Sequence, residues 1–262
     1  MKKPSILAGT LLLSFLIFGF VACQKIWDHI PHEPHEHDNT CRIKTAVFGD
    51  ITYTFYYNSH GNPDSIVPTG QSDTAYSFRY FFKYDEAGRL AEQLTIFLPF
   101  ELGSFYAMHK YEYTNNQITL DSTMRSVLFE TWVYRFEYDN QGRISKETKS
   151  RMPTGTNEEP VVEEIAYVYN ADGNLLPRPG SPGQPDSTYD DKTSLASINK
   201  IWQFISRDYS KNNREPALAY NSEGLPLSFP EPYLFLADYD EKFGPSGFPI
   251  EQATYDCGES SD

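Results

Sequence analysis

Basic charge is scarce in this chain. Its 262 residues carry 22 Lys and Arg against 36 Asp and Glu, a formal net charge of −14. A surface of that sign repels nucleic acid and anionic phosphates, so neither is expected as a partner. Catalytic signatures are missing too: no Gly-rich phosphate loop, His-Glu-x-x-His or Gly-x-Ser-x-Gly occurs. His60 falls in an expected turn and His109 on an expected strand, each without a neighbour in sequence that would make it catalytic. The paired acids Glu158/Glu159 and Glu163/Glu164 read as solvent-facing. No enzyme is expected on these grounds. Long apolar runs are limited to Ile6 to Phe20, which is short for the roughly 20 residues a spanning helix needs. Cysteine is limited to three residues, Cys23, Cys41 and Cys257.

What is present at the start is signal-peptide organisation: basic Met1-Lys2-Lys3, the apolar run, then Val21-Ala22-Cys23 with a small residue before the cysteine. The segment resembles a bacterial lipobox. That resemblance implies a signal peptide over 1–22, a lipid on Cys23, and a membrane-held protein at the outer membrane of the cell envelope, on either face. Loss of residues 1–22 removes Lys2 and Lys3 and no acid, which leaves a net charge of about −16.

Residues 23–40 read as a polar tether. His29, His32, His35 and His37 alternate there with acids and prolines. Imidazole and carboxylate together suit a weak divalent metal site, and a plain solvated spacer is the other reading; no other cofactor is expected. If Cys23 takes the lipid, Cys41 and Cys257 remain at the two ends of the following domain, 41–262. In an oxidising compartment they can pair; two separate thiols is the alternative.

The domain is written in copies of one unit, shown best by Trp132 to Thr148. Trp132, Tyr134, Phe136 and Tyr138 alternate with Val133, Arg135 and Glu137, so the rings share one strand face. Asp139-Asn140-Gln141-Gly142 then reads as a turn, with Asp to bind the backbone two residues on and Gly for the left-handed conformation. Turn-side tyrosines recur at Tyr57, Tyr84, Tyr113, Tyr138 and Tyr169, a loose period that means one supersecondary unit per copy. Tyr84-Asp85-Glu86-Ala87-Gly88-Arg89-Leu90 and Tyr138-Asp139-Asn140-Gln141-Gly142-Arg143-Ile144 resemble the Tyr-Asp repeat of the RHS type. The chain over about 45–255 resembles uncharacterised Bacteroidota lipoproteins that carry degenerate copies of it. The resemblance implies hairpin architecture and brings no catalytic residues.

The expected fold is mainly β: a curled antiparallel meander of repeated hairpins, open or partly closed, with one packed amphipathic helix near 194–206. Asp191 or Thr193 is the expected cap, and Leu195, Ile198, Ile201, Trp202 and Ile205 the buried stripe. The aromatic ladder has two readings. Tyr80, Tyr84, Trp132, Tyr134 and Tyr138 form either a stacking platform for sugar rings or, the commoner outcome, the core. Asp64-Ser65, Asp73-Thr74, Asp121-Ser122 and Asp186-Ser187 resemble O-glycosylation acceptors of exported Bacteroidota proteins, at Ser65, Thr74, Ser122 and Ser187; they are also ordinary turn chemistry. The functional expectation is a non-catalytic binding or adhesion module for a glycan or a protein. The alternatives are a structural partner in an envelope assembly, which a buried ladder and an open sheet edge would favour, and a carbohydrate-active hydrolase.

Overall fold

A computed structural model describes residues 41–69, 77–98, 105–126, 130–152, 161–177, 189–240 and 244–258. The expectations for segments 1–22 and 23–40, with Cys23 and the histidines 29, 32, 35 and 37, lie outside the described residues, as do Thr74 and Ser187.

The strands are β1 (Cys41–Phe48), β2 (Ile51–Tyr57), β3 (Pro63–Thr69), β4 (Ser77–Tyr84), β5 (Leu90–Leu98), β6 (Ala107–Thr114) and β7 (Gln117–Arg125). They continue as β8 (Glu130–Tyr138), β9 (Ile144–Met152), β10 (Val161–Ala166), β11 (Ala219–Tyr220), β12 (Pro226–Asp240) and β13 (Gly244–Cys257). All lie in one open sheet of 13 strands, ordered β10-β9-β8-β7-β6-β5-β4-β3-β2-β1-β13-β12-β11. From β1 to β10 this is a meander in which every strand pairs antiparallel with the next. The chain then returns so that β13 pairs with β1, with Cys41 opposite Cys257 in register. The two cysteines form a disulfide.

Each letter of the repeated motif has a structural task. The Oδ1 of Asp85 accepts the backbone N–H groups of Ala87 and Arg89, and that of Asp139 those of Gln141 and Arg143. Asn58, Asn170 and Asn221 do the same in their turns. The fourth residue is left-handed in all five, at Gly61, Gly88, Gly142, Gly173 and Gly224. In the β6–β7 turn Asn115 and Asn116 both take positive φ, 50° and 63°, the backbone of a two-residue primed hairpin turn. The arginine of the motif returns to its aspartate, with Arg89 Nε 2.8 Å from Asp85 Oδ2 and Arg143 Nε 2.8 Å from Asp139 Oδ2. Its guanidinium then lies over the tyrosine of the following hairpin, 4.5 Å from the Tyr113 ring for Arg89 and 4.3 Å from the Tyr169 ring for Arg143.

The tyrosine joins neighbouring hairpins. A bulge displaces Tyr57, Tyr84, Tyr113 and Tyr138 from regular register. Ladders between hairpins begin two or three residues inside the return strand, at Ser65, Glu92, Leu120 and Lys146, so Pro63, Leu90, Ile118 and Ile144 have no partner in the ladder to the next hairpin. The hydroxyls of Tyr84, Tyr113, Tyr138 and Tyr169 donate to the carbonyls of those four residues at 2.5–2.8 Å. Tyr255 bonds Pro226 and Tyr57 bonds Ile43 in the same way. Half-burial pushes the phenols of Tyr113, Tyr138 and Tyr169 up to about 12, so they remain donors at any physiological pH.

The helix forms in two pieces. A 3-10 turn at Ala196–Ile198 begins at Ser194, whose hydroxyl oxygen accepts the Ser197 N–H, and α1 runs from Lys200–Ser206. The break is Asn199, extended at φ −142°, whose side chain accepts the Ile201 N–H. Neither Asp191 nor Thr193 is the cap: a side chain that binds the backbone at Asn199 competes with a continuous helix and restarts it. Trp202 packs edge-on against Phe55 and Phe82, and Phe204 against Tyr111 and Phe136. Phe204 lies outside the expected stripe, yet it is buried because sheet rings meet the helix on two sides.

The ladder is therefore core. Tyr80, Trp132, Tyr134 and Phe136 belong to one buried cluster with Trp202 and Phe204 of the helix and Phe235 and Leu236 of β12. Tyr84 and Tyr138 are half-buried with their hydroxyls engaged. They form no continuous open platform: Tyr80 and Trp132 are buried, and Tyr134 and Tyr138 reach open space only as parts of cavity walls. Two outcomes are expected. Tyr138→Phe, which leaves the Ile118 carbonyl without a donor, lowers stability by about 1–3 kcal/mol in urea unfolding; an unchanged midpoint would show that the hydroxyl bond adds nothing. Reduction of Cys41–Cys257, which closes a loop with a sequence separation of 216, lowers stability by up to about 5 kcal/mol on the loop-entropy model and slows gel migration. Identical mobility and stability with and without reductant would refute the bridge.

Candidate functional site

The inward face of β5–β9 changes character away from the turns. Cross-strand pairing places Gln93 beside His109, His109 beside Thr123, and Thr123 beside Trp132. The adjacent row runs Tyr111, Asp121, Tyr134, Lys149 and Glu163. Period-two alternation thus sends polar and charged groups into the floor that holds the rings.

Asp121, 1% exposed, is the centre. Both its oxygens lie 3.1 Å from His109 Nδ1, and Thr123 Oγ1 donates to Oδ1 at 3.1 Å. Arg207 Nη2 reaches Oδ2 at 2.9 Å, and Arg207 Nε lies 3.6 Å from Glu147 Oε2, which also accepts the Tyr167 hydroxyl. Arg207 caps α1 in the left-handed conformation, and its guanidinium lies 4.7–5.1 Å from the rings of Phe136, Phe204 and Tyr134. Burial alone would raise the Asp121 pKa, but the His109 and Arg207 charges outweigh it and hold the carboxyl below its ordinary value. Burial likewise opposes the charge on Arg207, and Glu147 and Asp121 overcome it, so the guanidinium stays ionised.

Beside this cluster is a cavity of about 350 Å³. Its walls include Gln93, His109, Tyr111 and Tyr134 from the floor, Glu147 and Lys149 from β9, Glu163, Ile165 and Tyr167 at the β10 end, and Ile205, Arg207 and Leu236 from the helix side. Leu236 of β12 and Glu147 of β9 line one cavity although ten places apart in strand order, so the sheet curls around the helix. Leu236 has φ 53°, a strained backbone for a branched residue, with its N–H on Ser206 Oγ.

Chemically the cluster is arranged to hold charge rather than to relay a proton. Asp121 and Thr123 both address Nδ1 of His109, at 3.1 and 2.8 Å, whereas a nucleophile–base–acid relay needs them on opposite ring nitrogens. Asp121 and Glu147, the two carboxylates, are both held by Arg207. No group of three or more metal-ligating side chains occurs among the described residues.

Of the residues expected from sequence, the structure brings Cys41 to Cys257 and sets Trp132 and Tyr134 close to the cavity. Tyr80, Tyr84 and Tyr138 are not among the cavity's lining. Ser65 is buried and donates to Asp64, which leaves it poorly placed for a glycan. Ser122 is half-buried in mid-sheet, while its neighbours Asp121 and Thr123 belong to the cluster. His109 does have partners, which sequence reading missed: Asp121 is 12 residues away on the facing strand. The available signal was polarity at inward positions of strands whose neighbours carry rings. No protein-family model matches the chain, and no curated protein matches it either.

Asp121→Asn removes one anion from Arg207 and is expected to cost about 3–5 kcal/mol of stability. The sign with pH follows from the lowered pKa: Asp121 stabilises above the ordinary carboxylate range, and that contribution fades as pH falls through its folded value. Acid unfolding of Asp121→Asn, followed by circular dichroism, is therefore shallower than that of the parent. Equal slopes would remove Asp121 from the acid transition.

Proposed function

We propose that this protein is an envelope lipoprotein, anchored through Cys23, that performs no catalysis and holds a protein partner by accepting the partner's strand on β10. The observation that carries this reading is an incomplete hairpin. Every outgoing strand from β2 to β8 has a return strand; β10 turns at Asn170–Gly173, and Leu175 then makes one isolated bridge to Tyr169. Among the described residues no strand lies beyond β10, which ends the sheet. Its residues are exposed apart from Ile165, with Val162 at 58%. Unpaired N–H and C=O groups at such an edge are a template for an added strand, which would occupy the place of the missing return strand.

The edge discriminates by charge. Glu163 and Glu164 sit at its middle, so a second β10 paired antiparallel about that point would set acid against acid. A strand bearing Lys or Arg is favoured instead, in keeping with a chain of net charge −14. The buried ladder supports the assembly reading over a sugar-stacking face, and the Nδ1-sided cluster gives no support to hydrolysis. The lipid, the outer-membrane location and kinship with Tyr-Asp-repeat lipoproteins belong to the same proposal and rest on the sequence.

A photo-crosslinking residue at Val161, introduced in cells, is expected to trap a discrete adduct that charge reversal at Glu163 and Glu164 abolishes. The same probe at Glu112, in mid-sheet, is expected to trap none. An absent adduct at Val161, or one indifferent to charge reversal, would overturn strand addition. Protease shaving of intact and lysed cells would report the membrane face.

A further inference from the structure

Among the described residues Lys149 is a largely buried cation that no acid neutralises. Its side chain comes from β9, is 8% exposed, and lines the cavity. The ammonium stands 4.3 Å from the centroid of the Trp132 ring. It has no carboxylate within 4.0 Å and no hydrogen bond among the described residues, while the other buried cation of this cavity, Arg207, has two acids. The ammonium is not sealed from water, so solvent in the cavity serves its three donors, and a ligand anion would take the place of that solvent. The neighbouring acids do not pair with it: Glu147 is taken by Arg207 and Tyr167, and Glu163, opposite in register, is exposed and out of ion-pair range.

We infer that the cavity is a binding site for a small carboxylate-bearing ligand whose anion pairs with Lys149. This site shares Glu163 with the β10 edge but does not need an added strand, and Lys149→Met tests it without touching that edge. The volume of about 350 Å³ suits one sugar-sized molecule. Tyr111 and Tyr134 supply ring walls, and polar valences remain on the lining. His109 Nδ1 is engaged, which leaves Nε2, and Gln93 uses Oε1 for the Tyr111 hydroxyl, which leaves its amide nitrogen. A hydroxylated acid, a uronate, uses all of these features; a simple dicarboxylate uses only Lys149. Phosphate is disfavoured because it concentrates its charge on one compact group beside Glu147 and Glu163 with one unmatched cation against it, whereas succinate can set one carboxylate on Lys149 and keep the other away from those acids.

The test is calorimetric titration of the full-length protein in detergent with glucuronate, galacturonate, succinate, glucose and inorganic phosphate. Uronate binding that weakens with salt, with glucose inert, is the expected result. Succinate equal to the uronates would keep the carboxylate site and assign it to plain organic acids. Lys149→Met, which retains the stem on Trp132, weakens binding at least tenfold, and Lys149→Arg retains part of it. Glu163→Gln removes a repelling acid and tightens binding several-fold; if Lys149 served only to balance Glu163, that variant would lose stability and leave titrations flat. The inference is overturned if neither uronates nor succinate bind the folded protein, if phosphate binds in their place, or if Lys149→Met binds as the parent does.

Discussion

The array depends on one repeated bond, from the hydroxyl of a turn-side tyrosine to a carbonyl of the hairpin before it. A two-stranded hairpin is marginal alone in water, and here the ladder between hairpins starts late. Without the phenol each junction would expose a bare carbonyl at Pro63, Leu90, Ile118 or Ile144. The bulge at each tyrosine is what turns the ring toward that carbonyl, and the Asp or Asn that follows fixes the turn that makes the bulge. Arg89 and Arg143 then cover the tyrosine one hairpin further on. Tyrosine, acid, glycine and arginine therefore form one mechanical unit, each positioned by the others.

The same regularity creates a difficulty at the centre of the sheet. Alternation delivers every second side chain to the inner face, and on β6, β7 and β9 these include His109, Asp121, Glu147 and Lys149. Buried charge is tolerated only with partners. Arg207 provides them for Asp121 and Glu147 from outside the array, at the end of a helix whose Trp202 and Phe204 are fixed by the rings of β2, β4, β6 and β8. The aromatic core and the polar cluster are coupled through it: the rings position the helix, and the helix end positions the cation.

Local information was enough for the hairpins, because the turn acid, the left-handed glycine and the alternating rings act within a few residues. The disulfide was within reach for a different reason, since three cysteines with one assigned to a lipid leave a single pair. The cluster was not legible. Arg207 lies 86 residues from Asp121 and points inward only because it ends the helix in a left-handed turn. The split at Asn199 was hidden for the same kind of reason: hydrophobic spacing runs straight through it, and only the side chain's own bond to Ile201 shows that the helix restarts. The depth of the ladder could be weighed from sequence but not decided, because alternation names a face without saying what covers it.

How the array ends bears on what the protein can do. A repeat needs a terminal unit that satisfies what the next copy would have satisfied. After Asn170–Gly173 the chain supplies half of one. The Leu175 carbonyl sits where earlier hairpins present theirs, and it accepts the hydroxyl of Tyr189, a loop residue doing what a strand tyrosine does elsewhere. Asn174, buried at the same turn, is held by Asn212 across the loop. The tyrosine requirement is thus met without another hairpin, while the backbone of β10 is not covered by any described strand. At the other end of the order β11 is two residues long, too short to template much. Of the two edges among the described residues, β10 is the longer, and it combines exposure, a closed-off turn and the acids Glu163 and Glu164. The proposed strand addition rests on this edge, open among the described residues and marked with charge.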